Sequence, residues 1–127
     1  MAKTMGEKLD NLLVELRQSI DGIEGAAIVS TDGLLIAADL SPDMNEDNVT
    51  AMTAVMLGLC ERASKELDRG EFRQLLVRTS SGYVAFSYIG KDAVLTLITD
   101  QSVKLGLLLI KLRQYSKQLE ELLVGGT

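Results

Sequence analysis

Two apolar runs, residues 26–29 (AAIV) and 34–38 (LLIAA), flank the tripeptide Thr31-Asp32-Gly33. Asp-Gly between apolar runs signals a hairpin, because glycine adopts a positive φ angle without steric cost. Neither run alternates polar with apolar residues. Strands that are apolar on both sides need both sides covered, so the sheet must carry helices on both faces. That requirement constrains the rest of the chain.

Helices of the right kind are present. Leu9, Leu12, Leu13, Leu16 and Ile20 recur at helical spacing and predict an amphipathic helix of about four turns that ends before Gly22. Ser41-Pro42-Asp43 ends the second strand, and Asp43, Glu46 and Asp47 place negative charge where a helix begins. That second helix is expected over 44–68, with Gly70 marking its end. Strands are expected over 72–79, 83–89 and 93–99, separated by Ser80-Ser81-Gly82 and Gly90-Lys91-Asp92. A last helix is expected over 102–123, with a frayed tail at 124–127. The expected fold is α+β, in the order α-β-β-α-β-β-β-α, with a mainly antiparallel five-stranded sheet in a single domain spanning 1–127.

Composition removes several function classes. The net charge is −5, which leaves no electrostatic footprint for nucleic acid or an anionic membrane surface. Histidine is absent, which excludes Ser-His and Cys-His nucleophile pairs and the usual zinc sites. The single cysteine, Cys60, permits no intrachain disulfide and is expected as a small buried hydrophobe. The N-terminal residues lack the apolar core of a signal peptide. The longest apolar run, 105–110, is bracketed by Lys104 and Lys111 and is far short of a membrane span. A cytoplasmic location is expected. No glycine-rich phosphate loop occurs, and Asp32, Asp39, Asp92 and Asp100 fall where aspartate commonly stabilises turns. No catalytic residue, cofactor or metal is expected.

The second helix carries the functional question. Between Asp47 and Glu61 it has no charge. At 100° per residue, Val49, Met52, Met56, Leu59, Cys60, Ala63 and Leu67 form one stripe, expected to face the core. Ala51, Ala54 and Gly58 line up opposite, flanked by Val55 and followed by Glu61, Arg62 and Lys65. Glycine inside a helix costs about 1 kcal/mol against alanine. A line of small residues at that cost suggests close approach by a second chain. The third strand holds Arg73, Gln74, Arg78 and Thr79, which suits a solvated sheet margin or pairing with the same strand of a second copy. The last helix is apolar all round over 103–110, so its first half is expected between the sheet and the first helix, with Gly106 permitting close packing.

The segments GIEGAAIVSTDGLLIAADL, ERASKELDRGEF, SSGYVAFSYIGKDAVLTLITD and LGLLLIKLR resemble, in this order, the Roadblock/dynein light-chain family, and most closely its prokaryotic MglB-like branch. The resemblance spans roughly residues 6 to 122. It implies a profilin-like α/β sandwich with the middle helix on one face and the terminal helices on the other. It implies a homodimer formed through Ala51, Ala54, Val55 and Gly58 of the middle helix and Phe72, Gln74, Leu76 and Arg78 of the third strand. It implies, too, that a Ras-like small GTPase meets the paired helices at Ala51, Ala54, Val55, Gly58, Arg62 and Lys65, and that its switch regions are rearranged without an inserted arginine. Arg62 is therefore read as a rim residue. The protein would be a regulator or scaffold without a catalytic site of its own. The alternatives are a light-chain-like structural subunit with no effect on a GTPase, or a small-molecule-sensing domain.

Overall fold

The computed structural model describes residues 2–125. The chain forms α1 (Met5–Ser19), β1 (Ile23–Ser30), β2 (Leu35–Leu40), α2 (Glu46–Glu66), β3 (Gln74–Thr79), β4 (Gly82–Ile89), β5 (Ala93–Thr99) and α3 (Leu105–Val124). This is the element order read from the sequence. The strands lie in the order β2-β1-β5-β4-β3, and all neighbours are antiparallel.

Short-range chemistry sets the boundaries. Thr4 and Glu7 form a reciprocal capping box at the start of α1. The Asn45 side chain accepts from the Asn48 N–H and starts α2, with Glu46 and Asp47 in its first turn. Gly33 turns the first hairpin at φ +86°. Gly82 opens β4 at φ +154°, where an added Cβ would lie 1.9 Å from the Thr99 carbonyl oxygen. Only glycine lets these two backbones approach so closely.

The two sheet faces are covered unequally. α1 and α3 share one face, where Leu9, Leu13, Leu16, Leu108, Leu112 and Leu119 pack on Ala26, Ile28, Leu95 and Leu97. Arg17 pairs with Asp39 at 3.2 Å and ties α1 to β2. α2 alone covers the other face, mainly over β1 and β2. There Leu57 packs on Phe86 and Val94. The Thr53 hydroxyl donates to the Val49 carbonyl, so at the buried Thr53–Thr96 contact of 2.8 Å the Thr96 hydroxyl is the donor.

Several expectations change. α2 is turned so that Thr53 and Leu57 are its buried residues, whereas Met52, Leu59, Ala63 and Leu67 of the expected core stripe are exposed. The helix is apolar nearly all round over 49–60, so hydrophobicity alone does not set its rotation, and the paired hydroxyls of Thr53 and Thr96 make a polar residue the buried one. The segment 103–110 is buried only in part: Val103 and Leu108 enter the α1/α3 core, which continues along α3 at Leu112, Tyr115 and Leu119. Leu105, Leu107 and Ile110 are exposed and Gly106 has open space beside it, because only one side of a helix can face the core and Leu108 takes that side. Phe72 precedes β3 instead of starting it. Val124 closes α3 and Gly125 caps it, while 126–127 lie outside the described residues.

Two stability measurements test this packing. Thr53→Val leaves the buried Thr96 hydroxyl without its acceptor and is expected to cost about 1–3 kcal/mol in chemical denaturation. The double change with Thr96→Val should recover most of that loss; an additive double variant would mean that the hydroxyl pair carries no coupling. Gly82→Ala should cost about 2 kcal/mol or more, since the β5 backbone cannot move aside.

Candidate functional site

The outer side of α2 is unusually apolar for a helix surface. Met52 is 54% exposed, Val55 53% and Leu59 56%. Ala51 and Gly58 lie exposed among them, and nothing would meet a Cβ on Gly58 within 4 Å. The neighbouring part of the sheet is under-covered: Leu75, Val77 and Val84 are only half-buried against the α2-side core. Beyond them β3 is the outermost strand, with one backbone edge unpaired within the chain. Exposed stripe, half-bare sheet and open edge lie on one side of the molecule.

The residues singled out from sequence divide on this surface. Ala51, Val55 and Gly58 face outward, as do Gln74 and Arg78 on β3. Ala54 does not: it is half-buried over the first hairpin, its Cβ 3.8 Å from where a Cβ on Gly33 would stand. Leu76 shares a sheet face with Gln74 and Arg78, since alternate residues of a strand face the same side, and there it packs against the α1/α3 core while its two neighbours stay exposed. Phe72 is half-buried and tilted against the Tyr88 ring at 5.7 Å. Arg62 donates from Nε to Glu66 at 3.0 Å on its own helix, an exposed pair that contributes little. Lys65 is exposed. Sequence reasoning missed Met52 and Leu59, assigning both to the core. The available signal was the charge-free span before Glu61, which is too long for one helix to bury on one side.

No catalytic constellation accompanies this surface. Cys60 is half-buried, and burial raises its thiol pKa above the ordinary value, which favours the unreactive protonated form. Asp100 accepts from the Ser102 N–H and hydroxyl, and Asp43 accepts from the Ser41 hydroxyl; both carboxyls are held below their usual pKa by those bonds. They serve as turn braces. Among the described residues no group of three His, Cys, Asp or Glu side chains is placed to hold a metal ion, and no helix is long and apolar enough to cross a membrane.

The molecule is a small profilin-like α/β sandwich, one face of which is sparsely covered and bordered by an exposed apolar helix side. The chain belongs to the Roadblock/LC7 domain family, whose pattern matches residues 9–99. Three uncharacterized proteins of Methanocaldococcus jannaschii, MJ1340, MJ0310 and MJ0714, are each 30% identical to it over 112 residues. That alignment covers 88% of this chain and 96%, 96% and 93% of theirs. Among solved structures, Myxococcus xanthus MglB superposes with a TM-score of 0.89 at 17% identity, covering 98% of this chain and 94% of that one. A Roadblock/LC7 domain from Streptomyces avermitilis reaches 0.83 at 24% identity, covering 91% and 97%. LokiProfilin2, solved with rabbit actin, reaches 0.65 at 18% identity over 96% and 99%, in keeping with the profilin-like architecture. At these identities the structural matches establish the fold.

The burial of Cys60 gives a direct test. Alkylation by iodoacetamide should be slower than for a free thiol at pH 8 and should keep rising above pH 9, because the raised pKa delays thiolate formation. A rate that levels off below pH 8 would indicate an activated cysteine instead.

Proposed function

We propose that this protein is a homodimeric regulator that binds a Ras-like small GTPase across the paired outer faces of α2. The observation that carries the reading is the stripe of Met52, Val55 and Leu59, each more than half exposed. Burying such a side chain contributes about 1.5–3 kcal/mol, so a second copy covering three of them and the half-bare flank of the sheet supplies a strong driving force. Antiparallel pairing of β3 with its copy about a two-fold axis would satisfy the open edge and join two five-stranded sheets into one.

The dimer contact in this reading comprises Ala51, Met52, Val55, Gly58 and Leu59 with Gln74, Arg78 and the adjoining Phe72. Ala54 and Leu76 support it from inside the chain. The GTPase surface is the part of the helix pair left open, with Arg62 and Lys65 at its charged end. Arg62 acts at the rim, since its guanidinium is engaged by Glu66 and sits on a regular helix rather than an extending loop. Regulation then works by holding the GTPase switch regions in one arrangement, as the family resemblance implies.

The test begins with solution mass. The wild type should elute at twice its 13.8 kDa chain mass, and Val55→Glu with Leu59→Glu should elute as a folded monomer. A double variant that remains dimeric would overturn this interface. The second measurement is GTP hydrolysis by a Ras-like small GTPase of the same genome, with and without the dimer. Acceleration is expected, and Arg62→Ala should change it less than about tenfold, against the 10³–10⁵ that an inserted arginine supplies. Binding with an unchanged rate would reduce the role to that of a scaffold.

A further inference from the structure

A separate cleft opens where the C-terminal end of α2, the segment leading into β3 and the β4–β5 turn converge. Its volume is about 430 Å³, within the range of about 300–1,000 Å³ typical of small-molecule sites. The Phe72 and Tyr88 rings line it, their centroids 5.7 Å apart and tilted by 59°. The Tyr88 hydroxyl donates to Glu61 of α2, which fixes the ring's position against the helix.

Lys65, Arg73 and Lys91 also line the cleft, one from each of the three converging segments. Among the described residues none of the three has an ion-pair partner, although the chain as a whole is acidic at −5. Two carboxylates share the space, Glu61 and Glu71, so the lining carries a formal charge of 3 − 2 = +1. Three unpaired cations beside an aromatic pair match an anion attached to a flat ring. The ring stacks on Phe72 or Tyr88, and the anion meets the ammonium and guanidinium groups in charge-assisted hydrogen bonds. A phosphate monoester, with a charge of about −1.5 to −2 at pH 7, answers three cations better than a single-charge carboxylate does.

We infer that this cleft binds a small phosphate monoester carried on a planar ring. Every residue used lies within one chain; Phe72 also adjoins the proposed dimer contact and Lys65 the proposed GTPase surface, whereas Arg73, Tyr88 and Lys91 belong to neither, so the inference is read through those three.

The experiment is an NMR titration of the full chain with four probes: phenyl phosphate, AMP, adenosine and inorganic phosphate. Phenyl phosphate and AMP should produce saturable shifts at the Phe72 and Tyr88 ring resonances. Adenosine and inorganic phosphate, each with half of the recognition elements, should bind at least tenfold more weakly. Arg73→Gln with Lys91→Gln should weaken phenyl phosphate at least tenfold while leaving the circular dichroism spectrum and the solution mass unchanged. Absence of ring shifts with both phosphate esters overturns the inference on the wild type alone. It is equally overturned if inorganic phosphate binds as tightly as phenyl phosphate, or if the folded double variant binds unchanged.

Discussion

The structure depends on a mismatch between the width of a sheet and the width of a helix. Five strands at about 4.8 Å spacing make a surface roughly 24 Å across, and a helix with its side chains covers about 10–12 Å of it. Two helices, α1 and α3, can roof one face, and they do so with leucines that are almost fully buried. On the other face there is only α2, lying mainly over β1 and β2. The flank formed by β4 and β3 therefore keeps half-covered valine and leucine side chains. The central strands β1 and β5 tolerate this because both of their faces are already closed.

From that mismatch the character of α2 follows. A helix that only served this chain's core would carry charge along its outer side. Instead α2, after its acidic first turn at Glu46 and Asp47, presents Met52, Val55 and Leu59 outward and carries no further charge until Glu61. The unsatisfied sheet flank and the unsatisfied helix side adjoin each other, so one partner can answer both. This is why the proposed dimer uses the helix and the β3 edge together.

Much of the fold was legible because its signals are local. The Asp32-Gly33 turn, the acidic start of α2 at Asp43, Glu46 and Asp47 and the apolar strand runs mark boundaries that lie within a few residues of those observed. The rotation of α2 was not legible. A wheel drawn over 49–60 finds apolar residues in almost every direction, and the buried position is held by Thr53, which periodicity scores as polar. Its partner Thr96 lies 43 residues away on β5. The run at 105–110 misleads in the same way: it is the most apolar part of α3, yet of its residues only Leu108 is buried, and the core continues through Leu112, Tyr115 and Leu119. On the candidate surface, the outward placement of Ala51, Val55 and Gly58 was legible from the helical period. Met52 and Leu59 were missed because large apolar residues are assigned inward by default.

The sequence by itself determined which elements form, their order and the need for cover on both sheet faces. These depend on residues close together in the chain, where backbone preference and side-chain period act directly. Only the tertiary structure decided which side of α2 faces out, that Ala54 and Leu76 serve the chain's own core, and that Lys65, Arg73 and Lys91 meet beside Phe72 and Tyr88. Each of these rests on residues distant in the chain brought together by the sheet order, in which β3, last in space but third in sequence, is left with an open edge.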